Sequence, residues 1–198
     1  MTAYSAVLFI HVASAIGVFM SLAAEGAILF RLRSARSLAE AQFSVGAFQR
    51  LRTIAIPSFL GVLVGGLYLG SSYGAGTYWL PAALAATLLM MLLGALVTGR
   101  RTARLKKELT GDDTDVSAML LKTRDNALVV SYGLRLGLGI GIVFLMTTKP
   151  ELALSIVALG TGCAVGLLVA RAVRRTADRN HHASQSWGGA SQPSAQRS

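Results

Sequence analysis

Hydrophobic positions along this chain come in long blocks separated by polar segments, without the short alternation of a soluble fold. Each block approaches the ~20 apolar residues that a membrane-spanning helix requires. The third block carries no charge and opens with Tyr78 and Trp79, which are typical anchors at a membrane interface. The pattern predicts an all-α fold, a polytopic transmembrane helix bundle whose five spans lie at about 5–30, 53–73, 78–98, 127–147 and 151–170.

The basic residues are concentrated in three of the polar segments. Segments 31–52, 100–125 and 171–198 hold 17 of the 19 Lys and Arg residues. With five spans, all three segments fall on the same side of the membrane, and the positive-inside rule assigns that side to the cytoplasm. We therefore expect the N-terminus outside and the C-terminus in the cytoplasm.

Two of these segments carry further structural signals. In the first, Leu38, Ala41, Val45 and Phe48 recur at helical spacing. This spacing predicts either an amphipathic helix on the inner membrane surface or a short connector packed against the helix ends. In the second, GRRTARLKKEL is expected to continue the third helix into water.

The composition changes again at Thr176. Residues 176–198 are rich in Ser, Gly, Gln and Ala and have few apolar side chains to bury. Such a segment cannot offset the entropy lost on ordering. We expect a transmembrane domain over residues 1–175 and a disordered cytoplasmic tail over 176–198.

Composition and charge limit the classes of partner that the protein is expected to bind. The chain has 198 residues, of which 53% are hydrophobic and 14% are charged, with a net charge of +10. Topology accounts for that charge, so we expect contact with the lipid bilayer and with anionic lipid at the basic segments, and no nucleic-acid partner. Cys163 stands alone, which excludes an intrachain disulfide and a multi-cysteine metal site.

The first span carries a narrow polar stripe. His11, Ser14, Val18, Ser21 and Glu25 recur at intervals of three and four residues. On a helix they fall within an arc of about 80°. Lipid cannot satisfy such a stripe, so we expect it to face other helices or a cavity. His11 and Glu25 are separated by ~21 Å along the axis and would mark two ends of an internal path.

Arg135 in the fourth span is the second buried charge. An arginine near the bilayer centre costs roughly 2.5–3.5 kcal/mol on insertion scales, and a carboxylate partner reduces that cost. Glu25 is the acidic residue that lies well inside a span, and its depth is close to that of Arg135. We predict that the two side chains form an ion pair.

Glycines at four-residue spacing indicate where helices approach closely. They occur in the second, fourth and fifth spans, where small residues favour helix association in lipid. The positions are Gly61 and Gly65, then Gly133, Gly137 and Gly141, then Gly162 and Gly166.

Three kinds of function fit these residues. A small redox-linked or cofactor-binding protein would use His11 toward haem or a quinone. Since one histidine lies in a span, a haem would need another kind of second ligand, an open position or a homo-oligomer. A transporter would use the face formed by His11, Glu25 and Arg135 for protons or a small anion. A structural or accessory protein would need neither a cofactor at His11 nor a transport path. The residues leave open whether the chain is an enzyme.

The first helix also carries a family resemblance. The stretch LFIHVASAIGVFMSLAAEGAILFRLRS resembles the first helix of copper-resistance D-like proteins, of the bacterial membrane protoporphyrinogen oxidases, and of an uncharacterised bacterial polytopic integral-membrane family. The layout of the chain is most similar to the last of these. The resemblance implies that His11 corresponds to the family histidine and that the protein is a multi-pass protein of the bacterial plasma (inner) membrane.

Overall fold

The described part of the chain forms a bundle of five long helices. The computed structural model describes residues 2–71, 77–110, 123 and 125–189, with side chains as far as residue 175. All five helices are long and apolar enough to cross a membrane, which confirms the predicted number of spans. They are α1 (Ala3–Arg33), α2 (Leu38–Gly70), α3 (Trp79–Leu109), α4 (Asn126–Thr148) and α5 (Leu152–Gly189).

Helix starts follow ordinary capping chemistry. The hydroxyl of Thr2 accepts from the Ser5 backbone N–H at 3.3 Å, and that of Ser37 accepts from the Glu40 N–H at 3.2 Å. The Asp125 carboxylate caps α4 by accepting from the Ala127 N–H at 2.9 Å. Each cap satisfies a backbone donor that the helix itself leaves unpaired. Each of these three helices therefore begins with one of its first backbone donors satisfied.

Helix α2 begins earlier than the sequence predicted. It runs from Leu38 instead of residue 53, because Ala41, Val45 and Phe48 are buried in a core cluster at the ends of the other helices. The amphipathic segment thus packs against helix ends, as one alternative proposed, but as an extension of α2 and not as a short connector. A helix lying on the membrane surface is the alternative that the structure excludes.

The charged helix ends meet at one end of the bundle, which we call the basic end. A cluster of buried side chains joins the end of α1, the start of α2, the end of α3, the start of α4 and α5. Polar contacts connect the same elements: Gln42 donates to the Leu109 carbonyl at 2.7 Å, and Lys106 donates to Gln49 at 3.0 Å. The described residues of the three basic segments therefore lie at one end of the bundle, as the predicted topology requires. Which side of the membrane this is stays a prediction.

Helices α4 and α5 pack through glycine. A Cβ atom at Gly133 would overlap the carbonyl oxygen of Gly166, and one at Gly137 would overlap that of Gly162. The backbones can lie this close because both sides of each contact lack a side chain. This confirms the predicted packing face. At its far end α5 is helical to Gly189, into the segment predicted to be disordered, since extending a formed helix avoids the cost of nucleation. Residues 190–198 of that segment lie outside the described residues.

The five helices divide into two groups. Helices α1 and α2 pack along each other as a hairpin, while α4 packs along α5 and also contacts α3. Contacts between the hairpin and the remaining helices are sparser, and two cavities open between them. Outward-facing side chains along the helices are large and apolar, such as Phe9, Val64 and Ile156, which is consistent with contact with lipid.

Candidate functional site

Glu25 and Arg135 form an ion pair inside the bundle. Arg135 Nη1 donates to Glu25 Oε2 at 2.8 Å, and Nη2 donates to Oε1. The two residues are 8% and 4% exposed. The pairing predicted from their depth is therefore confirmed, with the two-pronged geometry that arginine and carboxylate adopt when both are desolvated.

Other polar groups complete the shell of Arg135. Its Nη2 also donates to the hydroxyl oxygen of Thr98 at 3.0 Å, and its Nε donates to the Ser131 carbonyl at 3.4 Å. The Ser131 hydroxyl in turn donates to the Leu93 carbonyl at 3.3 Å. A buried charge is tolerated when its hydrogen-bonding groups are satisfied in this way. Neither Thr98 nor Ser131 was predicted as part of the site. Ser131 carries a signal in the sequence, since it lies one helical turn before Arg135.

The backbone of α3 is widened where it meets this shell. Residues Leu93–Gly99 form a π-helical segment within α3, and both Thr98 and Gly94 belong to it. A Cβ atom at Gly94 would lie 3.3 Å from Arg135 Nη1, so glycine leaves room for the guanidinium. Segments of this kind are rare and often occur at functional sites. The widened turn positions Thr98 to accept from Arg135.

A cavity of about 280 Å³ lies beside the ion pair, and we call it the basic-end cavity. Glu25 and Arg135 line it together with Ser21, whose hydroxyl donates to the Gly17 carbonyl at 2.8 Å. Arg52 of α2 lines it as well. The remaining wall is mostly apolar and comes from α1, α2 and α3.

His11 lies on the other half of α1 and is held against α2. Its Nδ1 is 3.0 Å from the Val62 carbonyl oxygen. Because a carbonyl only accepts, Nδ1 carries the proton, and Nε2 is the ring nitrogen left for another partner. Gly65 and Gly66 make room for the ring, since a Cβ atom at Gly66 would lie 3.3 Å from His11 Cε1.

A second cavity, of about 610 Å³, lies beside His11, and we call it the His11 cavity. Its wall is mainly apolar, with Thr87, Trp79 and Lys149 among the few polar contributors. The Lys149 ammonium lies 5.9 Å from the centre of the Trp79 ring, at the end of the bundle opposite the basic end. The two cavities share Val18 and Phe59 in their walls, so these two side chains stand where the cavities come closest.

The residues of the predicted polar stripe lie in three different surroundings. His11 lines its own cavity, while Ser21, Glu25 and Arg135 line the basic-end cavity. Ser14 lines neither, because it packs against Gly61 of α2, where a Cβ atom would overlap its hydroxyl. The stripe faces helices and cavities, as expected, but it does not form one continuous site.

Comparison with known protein families, with curated proteins and with solved structures finds no match to this chain. The resemblance of the first helix to bacterial membrane families therefore stays a prediction. The function has to be argued from the two cavities and the side chains that line them.

Proposed function

We propose that the protein binds a hydrophobic ring-bearing cofactor, a haem or a quinone, in the His11 cavity. The observation that carries the proposal is the hydrogen bond from His11 Nδ1 to the Val62 carbonyl at the wall of a large apolar cavity. Histidines that bind metals usually donate their other ring N–H to a backbone carbonyl or a carboxylate, which fixes the tautomer and the ring orientation. His11 meets that condition.

The size and lining of the cavity favour the same class of ligand. Its volume of about 610 Å³ is within the range of small-molecule sites, and its wall is apolar with a few polar groups. Ile16 and Met20 belong to its lining and are also 57% and 67% exposed on the outer surface of the bundle. The cavity therefore opens sideways, and an apolar cofactor can enter from the bilayer.

The proton on Nδ1 also restricts which oxidation state of a quinone can bind to a neutral His11. With Nδ1 protonated, a neutral His11 presents only an acceptor at Nε2. Nε2 can then bind a haem iron or accept from the hydroxyl of a quinol, whereas a quinone carbonyl requires the doubly protonated ring. If the cofactor were a haem, His11 would hold it, and a thioether of Met90 or Met146, which line the same cavity, would be available as a second ligand within one chain.

Spectroscopy on purified protein tests the proposal. Protein extracted in mild detergent is expected to carry either a haem absorption band or a stoichiometric amount of extractable quinol, measured together with the quinone formed from it on oxidation. His11→Ala should lose the cofactor in both cases. His11→Gln should lose a haem but keep part of a quinol, because its amide still accepts a hydrogen bond. Ser14→Ala is the matched control on the same helix and should keep the cofactor.

The outcome that would overturn the proposal is folded, monodisperse protein that carries neither cofactor and does not take up added haem or quinol. Loss of the cofactor in Ser14→Ala to the same degree as in His11→Ala would also contradict it, since Ser14 lies outside the cavity.

A second candidate function is movement of protons or a small anion through the bundle. The observation that favours it is the approach of the two cavities at Val18 and Phe59, which leaves one side-chain layer between a histidine site and an ion pair. Val18→Ala is expected to raise pH-dependent flux into protein-containing vesicles. Equal flux in Val18→Ala, in the wild type and in protein-free vesicles would exclude this function.

A further inference from the structure

The geometry points to a binding site for one anionic phospholipid at the basic-end cavity, with the headgroup at Arg52 and an acyl chain between α2 and α3. This inference is independent of the His11 cavity and of the cofactor proposed there. It concerns a different cavity, in the half of the bundle where the basic helix ends meet.

The charges that line the cavity favour a single anion. Two arginines and one glutamate face it, which leaves one net positive charge. Arg135 is neutralised by Glu25, whereas Arg52 has neither a hydrogen bond nor an ion pair with any residue that the structure describes. The remaining charge therefore belongs to Arg52, and a phosphodiester carries the one negative charge that balances it.

The hydroxyl groups near Arg52 already have partners. Thr102 donates to the Thr98 carbonyl at 2.7 Å, and the Thr98 hydroxyl oxygen accepts from Arg135. The Thr102 proton is therefore used by the α3 backbone, and the Thr98 hydroxyl belongs to the shell of Arg135. Arg52 is thus the charged side chain with hydrogen-bond donors still available at this cavity.

Arg52 reaches from α2 toward α3 at the edge of the cavity. A Cβ atom at Gly99 of α3 would lie 3.5 Å from Arg52 Nη1, so the guanidinium is at contact distance from that glycine. This part of the bundle is at the basic end, where we expect the headgroups of one leaflet. Basic pockets between spanning helices at this level are suited to anionic lipid headgroups.

The apolar wall indicates a lipid and not a soluble anion. Ile56 and Leu60 of α2 and Met91 of α3 line the cavity and are also exposed on the outer surface. The cavity therefore opens toward hydrocarbon between α2 and α3, and Ala95 beside this opening leaves room for a chain. A soluble anion would gain nothing from these side chains, whereas an acyl chain buries against them.

Native mass spectrometry of the full chain tests this site. The protein is titrated with phosphatidylglycerol and, separately, with phosphatidylcholine that carries the same acyl chains. We expect the first phosphatidylglycerol to bind about fivefold more tightly than phosphatidylcholine, the effect of one arginine near an anionic group. Arg52→Gln should abolish this preference, and Ala95→Phe should weaken binding of both lipids by filling the cavity.

Arg104→Gln is the matched control, because Arg104 is an exposed residue near the same end of α3 and lines neither cavity. It should keep the preference for phosphatidylglycerol. An equal loss in Arg104→Gln and Arg52→Gln would mean general electrostatic attraction and would overturn the site. Equal binding of the two lipids by the wild type would also overturn the site. Stronger competition by a free fatty acid than by phosphatidylglycerol would show that the site prefers a carboxylate to a phosphodiester.

Discussion

Arg135 on α4 and Glu25 on α1 are 110 residues apart in sequence and bind each other through both arms of the guanidinium. The pair connects the α1–α2 hairpin to the other three helices across the cleft that contains both cavities. Elsewhere that cleft is mostly apolar, and Val18 and Leu22 of α1 pack across it against Met90 of α3 and Leu138 of α4. The ion pair therefore adds a directional contact to the apolar packing that joins the two groups of helices.

Breaking the pair on one side should destabilise the bundle more than removing it altogether. Glu25→Gln or Arg135→Gln alone is expected to cost about 3 kcal/mol, because each leaves an uncompensated buried charge. The double substitution should recover part of that loss. The measurement is unfolding of the four proteins in the same detergent. Strictly additive costs would contradict a direct interaction.

The hydroxyl of Thr98 should contribute separately from the carboxylate. Thr98→Val keeps the side-chain volume and removes the acceptor at 3.0 Å from Arg135 Nη2, so we expect a loss of about 1 kcal/mol of stability. Thr147→Val is the control, since Thr147 is exposed and bonds only to its own helix. Equal losses in the two variants would show that the Thr98 contact adds nothing.

The glycine contact between α4 and α5 should not tolerate a methyl group. Gly137→Ala would place its Cβ against the Gly162 carbonyl and is expected to destabilise the bundle by about 2 kcal/mol through overpacking. Gly160→Ala on α5 meets nothing within 4 Å and should be neutral or slightly stabilising. Thermal unfolding of both variants compares their stabilities. A Gly137→Ala variant as stable as the wild type would contradict the close packing.

The side of the membrane that the basic end faces can be determined by labelling. In a Cys163→Ala background, cysteines at Arg104 and Arg175 should react with an impermeant reagent only from the cytoplasmic side. A cysteine at Lys149, at the opposite end, should react only from outside. Reaction of Arg104→Cys and Arg175→Cys from opposite sides would contradict the five-span topology.

Sequence was sufficient for features that follow from the cost of burying charge and backbone in lipid. The spans, the shared end of the basic segments and the partnership of Glu25 with Arg135 all follow from that cost. The start of α2 could not be predicted in this way. Arg50 and Arg52 interrupt the hydrophobic pattern, whereas the helix continues through them. Periodicity placed the polar stripe on one face, but it carries no information about which neighbour each residue meets.

The cavities and the shell of Arg135 could not be predicted for a related reason. Thr98 reaches Arg135 because α3 is locally π-helical, and the hydrophobic pattern of residues 93–99 gives no sign of that change. Cavity volume depends on what several helices leave unfilled together. A single sequence states the size of each side chain but not the separation of the helices.

The long separation between Glu25 and Arg135 has a consequence for biosynthesis. Glu25 enters the bilayer with α1, before Arg135 has been synthesised. At about 5–20 residues per second, translation reaches the fourth helix on the order of ten seconds later. During that interval the nascent chain carries an uncompensated carboxyl group, which must be protonated, hydrated or held by the insertion machinery until Arg135 arrives.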